Sequence, residues 1–163
     1  MDKIASFEID HTRLEPGFYV SRVDKVFNDT VTTFDLRIYK PNDGFLNPKA
    51  AHTLEHICAT LLRNDPTYGD SVIYFGPMGC LTGFYLIMKG EYGTSSLLGL
   101  MRRVASIFGA AAIATEIPGC SKEECGNCEY HDLIAARFVA EGYEETLIDI
   151  YHNRRAERYT YPI

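Results

Sequence analysis

The sequence lacks long apolar runs and any excess of positive charge. Its 163 residues include 16 lysines and arginines against 22 aspartates and glutamates, which gives a net charge of −6 at pH 7. No basic patch stands out, so we expect no nucleic-acid partner. No segment approaches the roughly 18 consecutive apolar residues that a membrane span requires, so we expect no membrane partner.

Cysteine is also scarce, and a secretion signal is not evident. The first ten residues carry charges at four positions and hold no apolar run of signal-peptide length. The five cysteines are an odd number, which favours reduced thiols over a disulfide framework. With 46% hydrophobic residues, the chain can bury one core. We therefore expect a cytoplasmic protein with a single domain over residues 1–163.

The patterning predicts four strands and three helices. Residues that favour strands cluster at 17–24, 30–39, about 71–76 and 82–89. The first helix begins with Asn47 as its N-cap and ends before Pro66. The second is capped by Thr94 or Ser95, and the third runs over about 132–153. Because strands and helices do not alternate strictly, we predict an α+β fold, with an antiparallel sheet packed against a few helices.

Two of the five histidines lie one helical turn apart on the first predicted helix. His52, His56 and the intervening Glu55 share one face of that helix at about 100° per residue. The opposite, core-facing stripe consists of Leu54, Ile57, Cys58 and Leu61. Two imidazoles at this spacing can reach one divalent ion, with a third ligand from elsewhere and one position left open. The pattern matches the inverted zincin motif H-x-x-E-H, in which the glutamate is a general acid or base. The alternative is two surface histidines spaced by chance.

Cys80 lies in the segment "GPMGCLTGF", between two predicted strands. Three glycines and a proline in this segment predict a tight turn, which can present a reactive thiol close to the backbone. The alternative is a small buried cysteine in a β-turn, which is the commoner role of cysteine.

The other cysteine cluster has the spacing C-x4-C-x2-C and comprises Cys120, Cys125 and Cys128, with His131 three residues further on. A plant-type iron–sulfur loop needs a fourth cysteine, and none follows Cys128. A structural zinc knuckle formed by these three cysteines and His131 is one interpretation. The other is that one of the cysteines supplies the third ligand to the histidine pair, and the spacing does not choose among them.

Taken together, these segments resemble the S-ribosylhomocysteine lyase (LuxS) family. The matching stretches, in the family's order, are "SFEIDHTRLEPG" (Ser6–Gly17), "TTFDLRIYKPN" (Thr32–Asn42), "HTLEH" (His52–His56), "LLRND", "GPMGCLTGFYL" (Gly76–Leu86) and "ECGNCEYHDL" (Glu124–Leu133). The likeness covers nearly the whole chain. It is specific because the histidine motif, the Cys80 turn and the "CG" loop follow one another.

The resemblance implies a divalent metal, Fe(II) natively with Zn or Co as substitutes. It implies that the metal is held by His52, His56 and Cys125, since Cys125 is the cysteine of the family's "CG" motif. It also implies that Cys80 and Glu55 are the acid/base pair of the reaction.

The substrate pocket and the assembly are likewise implied by the resemblance. Ser6, His11 and Arg37 match positions that line the family's pocket. The family forms homodimers with two active sites at the subunit interface, and His11 reaches across it. Because a free thiol titrates near 8.5, a thiolate at Cys80 needs a nearby cation, for which the metal and Arg37 are candidates.

Members of the family cleave S-ribosylhomocysteine to homocysteine and 4,5-dihydroxy-2,3-pentanedione, the precursor of a bacterial signalling molecule. The resemblance therefore implies a small-molecule substrate and a role in quorum sensing or in the recycling of a methylation by-product. The carbonyl of the sugar must migrate by enolisation before β-elimination can expel the thiolate. Such migration requires a Lewis acid and a group that moves protons between neighbouring carbons.

The chain departs from the family pattern at two places. Tyr74–Phe75–Gly76 stands where an Asp–Ile–Ser type of segment is usual, and Cys128 stands where a tyrosine is common. An acidic residue before the Cys80 turn would hold the amino group of the substrate, so Tyr74 alters that contact unless Asp70 serves instead.

Two rival functions share parts of this pattern. An inverted-zincin metallopeptidase would use Glu55 to activate water and would take Glu116, Glu123 or Glu124 as its third ligand. A family member that kept the fold and lost the reaction would be a binding protein.

Overall fold

The sheet has four antiparallel strands. In a computed structural model, residues 9–162 are described, and the strands are β1 (Gly17–Val26), β2 (Asp29–Arg37), β3 (Val72–Pro77) and β4 (Gly83–Lys89). They lie in the order β1-β2-β4-β3, and every neighbouring pair is antiparallel. The predicted α+β class with an antiparallel sheet is thus confirmed.

Three helices pack against this sheet: α1 (Pro48–Arg63), α2 (Thr94–Ala112) and α3 (Leu133–Asn153). Short 3-10 turns occupy Gly69–Ser71 and Ala156–Arg158. Each predicted helix is present, and the observed bounds of helices and strands lie within about two residues of the predicted ones. Within the described part of the chain, no helix is both long and apolar enough to cross a membrane.

The start of α1 follows from its first residues. The Asn47 side chain accepts a hydrogen bond from the Lys49 backbone N–H at 2.8 Å, and Pro48 occupies the first helical turn. The predicted apolar stripe is buried except at its last member, Leu61, which is only half-buried. The neighbouring Leu62, which is 1% exposed, takes its place in the core. Leu62 lies four residues beyond Cys58, so it continues the buried face of the helix.

One hydrophobic core joins the three helices to one face of the sheet. Aromatic rings run through it, as in the stacked pair of Phe75 and Phe84, whose centroids are 5.0 Å apart. Strand β2 shows the period of two that this arrangement requires, because Phe34 and Leu36 face this core. Asp35, between them, contacts the C-terminal segment on the other face of the sheet, where it accepts a hydrogen bond from the Tyr161 hydroxyl at 2.7 Å.

Candidate active site

The chain brings four potential metal-binding side chains together. His52, His56, Cys125 and His131 offer ligand atoms that all lie within 4.8 Å of one another, and we call these four the metal group. Helix α1 carries the first two, and the loop between α2 and α3 carries the others. The prediction that the two α1 histidines share one face is confirmed. Among residues 9–162, this is the sole such group of histidine, cysteine and acidic side chains.

Two backbone carbonyls set the protonation of the α1 imidazoles. His52 Nδ1 lies 2.8 Å from the carbonyl of Tyr130, and His56 Nδ1 lies 2.9 Å from that of Pro118. Because a carbonyl oxygen only accepts, each Nδ1 carries the hydrogen and, in the neutral ring, each Nε2 presents a lone pair. These two Nε2 atoms are 3.1 Å apart. Two bare lone pairs at that separation repel one another unless a positive charge lies between them.

The two donor separations that involve His52 Nε2 fit the geometry of one tetrahedral ion. Cys125 Sγ lies 3.5 Å from His52 Nε2 and accepts a hydrogen bond from the Asn127 backbone N–H at 3.4 Å. Typical zinc bond lengths place two nitrogens about 3.3 Å apart, and a nitrogen and a sulfur about 3.6 Å apart. The observed 3.1 and 3.5 Å match these separations closely. The donor set is therefore suited to a divalent transition metal.

His131 is the member of this group that sequence reasoning assigned elsewhere. Its ring stacks on that of His52, with centroids 4.1 Å apart and planes inclined by 16°. A ligating lone pair lies in the plane of its ring, so two stacked and nearly parallel imidazoles do not converge on one ion. The ring of His131 is therefore not oriented to share an ion that His52 would bind through Nε2. Burial and the neighbouring imidazoles lower its pKa below the ordinary value.

Of the two interpretations of the cysteine loop, the structure does not form the zinc knuckle. Cys120 and Cys128 lie outside the metal group, so the zinc knuckle built from three cysteines and His131 is wrong. The glutamates considered as metallopeptidase ligands, Glu116, Glu123 and Glu124, also lie outside it. His131 instead contacts the Thr53 side chain on α1, 78 residues earlier. Spacing along the chain does not predict such a tertiary contact.

A second polar group surrounds the Cys80 thiol. A cavity of about 690 Å³ is lined by His11, Arg37, Cys80, Thr82 and residues 41–45. Three of the predicted site residues therefore meet in one cavity. Among the described residues, no member of the metal group lines this cavity, so within one chain the two groups are distinct.

The Cys80 thiol lies in the predicted tight turn between β3 and β4. Leu81 adopts a left-handed conformation, with φ 57°, and its backbone N–H donates to the carbonyl of Met78 at 2.9 Å. At Gly83 the strands approach so closely that a Cβ would lie 2.2 Å from the carbonyl oxygen of Leu36. The turn leaves Cys80 accessible to solvent, as a reactive thiol requires, although neighbouring atoms partly desolvate its sulfur.

Hydrogen bonds and charge act on the Cys80 thiol in opposition to its burial. Arg37 donates to the Thr82 hydroxyl oxygen, which leaves the Thr82 hydrogen free to donate to Cys80 Sγ, 3.1 Å away. Arg37 Nη1 itself lies 4.0 Å from the sulfur. Burial raises the pKa of Cys80, but the hydrogen bonds of Thr82 and the charge of Arg37 outweigh it and lower the pKa below the ordinary value. We call Asp35, Arg37, Thr82 and Cys80 the thiol network.

Asp35 fixes the guanidinium of Arg37. Its carboxylate lies 2.5 Å from Arg37 Nη2, and both side chains are almost fully buried. Sequence reasoning did not name Asp35. Its position two residues before Arg37, on the same face of β2, was the signal that could have identified it.

Glu55, Tyr74 and Asp70 belong to neither the metal group nor the lining of the Cys80 cavity. Ser6 lies outside the described residues. Glu55 is half-buried on α1. Burial raises the pKa of Tyr74, and the nearby charge of Glu55 raises it further. The Tyr74 ring lies over Gly76, since a Cβ atom at Gly76 would lie 2.0 Å from the Tyr74 phenolic oxygen. Asp70 belongs to the 3-10 turn at the opposite end of β3 from Cys80.

The fold and this site define a metal-binding α+β domain, and comparisons with known proteins specify the family. A model of the S-ribosylhomocysteinase (LuxS) family matches residues 4–154. The S-ribosylhomocysteine lyase of Desulfotalea psychrophila is 49% identical over 150 residues, which cover 91% of this chain and 93% of the relative. The S-ribosylhomocysteine lyase of Porphyromonas gingivalis is 43% identical over 92% of this chain and 94% of the relative. That of Borreliella burgdorferi is 45% identical over 99% of this chain and 100% of the relative. The chain therefore belongs to the LuxS family.

Proposed function

We propose that this protein is a metal-dependent carbon–sulfur lyase that cleaves S-ribosylhomocysteine to homocysteine and 4,5-dihydroxy-2,3-pentanedione. The observation that carries the proposal is the convergence of two bare imidazole nitrogens with the Cys125 thiol in a chain of this family. The lyase domain comprises residues 1–163 and acts in the cytoplasm. Its second product is the precursor of a signalling molecule used in quorum sensing.

The metal is held by His52, His56 and Cys125. The carbonyls of Tyr130 and Pro118 keep both imidazoles in the tautomer that presents Nε2, which orients them for binding. When bound, a divalent ion supplies a Lewis acid that polarises the sugar carbonyl. We propose Fe(II) as the native ion, with Zn or Co as substitutes, because a set of two nitrogens and one sulfur accepts all three.

Cys80 and Glu55 move the protons. The Cys80 thiolate, held by Thr82 and Arg37, removes the proton on the carbon next to the carbonyl, and the carbonyl migrates from C1 to C2 when the proton returns to C1. A second round moves it to C3. Loss of the C4 proton then breaks the C5–S bond, and the homocysteine sulfur leaves and takes up a proton. Glu55 transfers protons between the hydroxyl and carbonyl oxygens.

The cavity beside Cys80 binds the substrate. Arg37 combines this role with the activation of the thiol, and His11 and Ser6 contribute further contacts. Since the cavity and the metal group are lined by different residues within one chain, we propose a homodimer whose two active sites lie at the interface, with His11 reaching across it. Light scattering on the purified protein tests the assembly and is expected to give a mass twice that of the chain.

Titration of free thiol tests the reaction. Anaerobically purified, metal-loaded protein is expected to release one thiol for each S-ribosylhomocysteine consumed. If fully loaded protein releases none, the lyase assignment is wrong, and a binding protein of the same fold becomes the better description. The Tyr74 segment is the feature that would favour that outcome.

A further inference from the structure

The hydrogen bonds around Thr53 fix the protonation of His131. The Thr53 hydroxyl donates its one hydrogen to the carbonyl of Lys49 at 2.8 Å and accepts from the Asp132 backbone N–H at 3.0 Å. Its contact with His131 Nδ1, at 3.2 Å, must therefore use a hydrogen on the imidazole. The neutral His131 ring carries its hydrogen on Nδ1 and presents a lone pair at Nε2.

That Nε2 atom is buried, and no hydrogen-bond donor in the described part of the chain reaches it. Buried polar atoms are nearly always paired, so a buried acceptor without a donor calls for an explanation. Ligation of a metal shared with His52 does not explain this, because the two stacked rings are nearly parallel and their lone pairs do not converge on one ion. A bound molecule that carries an O–H or N–H group would supply the missing donor.

We propose that His131 Nε2 accepts a hydrogen bond from a substrate hydroxyl on a carbon next to the carbonyl. This inference rests on the proposed function and deepens it, because it assigns a substrate-binding role to a residue outside the ligand set. A polyhydroxylated sugar chain offers such a hydroxyl at each stage of the carbonyl migration. The site would thereby prefer an α-hydroxy carbonyl compound over a simple aldehyde or ketone.

Two features keep His131 in place for this role. Stacking on His52 fixes the plane of its ring, and the Nδ1 contact with Thr53 fixes its rotation. His56 meets the same ring edge-to-face, with centroids 4.9 Å apart, so the acceptor lies against both α1 imidazoles of the metal group.

A pair of substitutions separates the two ring nitrogens. His131→Asn places an amide near the Nδ1 position and leaves nothing at Nε2, whereas His131→Gln extends an amide toward the Nε2 position. Both are made in a Cys80→Ala background, so that S-ribosylhomocysteine binds without turnover and its Kd can be measured by calorimetry. His152→Asn, near the exposed end of α3, is the matched control.

We expect His131→Asn to raise the Kd for S-ribosylhomocysteine about 5- to 30-fold, the usual effect of one lost hydrogen bond to a buried group. His131→Gln should recover part of that loss, and His152→Asn should have no effect. With substrate absent, the Co(II) affinity and the visible absorption bands of the Co(II) protein should match those of the Cys80→Ala parent in all variants.

Two results would overturn the inference while leaving the lyase function intact. An unchanged Kd in both His131 variants would show that the substrate does not contact Nε2. A Co(II) affinity lowered about 100-fold in both, with altered absorption bands, would show that His131 is a metal ligand. By contrast, failure of the unsubstituted enzyme to release thiol would reject the proposed function itself, and this inference with it.

Discussion

The metal group and the thiol network are both clusters of polar side chains, but their hydrogen bonding differs. In the metal group, acceptors face one another, since the Nε2 atoms of His52 and His56 are 3.1 Å apart and, in the neutral rings, both present lone pairs. In the thiol network, donors face acceptors, as where Arg37 lies between Asp35 and Thr82. The first cluster needs a cation from outside the chain, whereas the second contains its own.

The two regions also differ in burial. Arg37 and Asp35 are 3% and 1% exposed, whereas His52 and His56 of the metal group are half-buried. A buried ion pair cannot lose one partner without leaving an unpaired charge in the protein interior. We therefore expect substitutions in the metal group to reduce metal binding and activity, and substitutions at the buried pair to reduce stability as well.

The largest expected effect concerns the thiol itself. Cys80→Ala should lower the turnover of S-ribosylhomocysteine by about 1,000-fold or more, because it removes the thiolate that takes the protons from carbon. Its metal content, measured by elemental analysis, should match that of the unsubstituted protein. Normal turnover in this variant would remove Cys80 from the proton-transfer role.

The third ligand is tested by Cys125→Ser. Exchange of a thiolate for a hydroxyl should weaken Zn(II) or Co(II) binding about 100-fold or more, because a neutral hydroxyl is a poor ligand for these ions. Cys120→Ser is the matched control, since Cys120 is exposed and lies outside the metal group. Unchanged metal content in Cys125→Ser would favour a carboxylate ligand and the metallopeptidase alternative.

Stability separates the two regions most clearly in metal-free protein. Asp35→Ala should lower the free energy of unfolding by about 3–5 kcal/mol, because it leaves the Arg37 charge buried and unpaired. Asp24→Ala removes an exposed ion pair with Arg22 and should cost at most about 1 kcal/mol. Urea denaturation measures both. Equal losses in the two variants would mean that the Asp35–Arg37 pair does not stabilise the fold.

The pH dependence of Cys80 reactivity tests the thiol network. Thr82→Val removes the hydroxyl that donates to the sulfur, so the pKa of Cys80 should rise and its alkylation by iodoacetamide should shift to higher pH. Thr82→Ser keeps the hydroxyl and should leave the profile in place. Mass spectrometry of the Cys80 peptide follows the rate of alkylation. A shift to lower pH in Thr82→Val would contradict the assigned direction of this hydrogen bond.

The smallest expected effect concerns the start of α1. Asn47→Ala removes the N-cap and should lower the free energy of unfolding by about 1 kcal/mol. It should leave the metal affinity unchanged, because His52 and His56 lie beyond the first turn of the helix. A large loss of metal binding in Asn47→Ala would show that the geometry of the metal group depends on the helix end.

Most local features were predictable from sequence, although the predicted cap of α2, Thr94 or Ser95, is wrong because Gly93 is the N-cap. Asn47 and Pro48 identified the start of α1, and Asp132 caps α3, where its side chain accepts from the Ala135 backbone N–H at 2.9 Å. The glycines around Cys80 indicated the turn between β3 and β4. Each of these depends on hydrogen bonds or backbone conformations within a few residues, which the order of residue types determines directly.

Long-range contacts were not predictable in this way. The placement of β4 between β2 and β3 depends on how the whole sheet packs against the helices. His131 joins the metal group because the start of α3 docks on Thr53, 78 residues earlier in the chain. Its spacing from Cys128 suggested a local zinc knuckle instead, and tertiary packing overrode that pattern.

The most direct test of this account is anomalous scattering at the metal absorption edge, from a crystal of anaerobically purified protein. We predict one peak per subunit at bonding distance from His52 Nε2, His56 Nε2 and Cys125 Sγ, about 2.0–2.3 Å from each, with His131 Nε2 further away. A peak elsewhere, or none in protein that turns over S-ribosylhomocysteine at full rate, would contradict it.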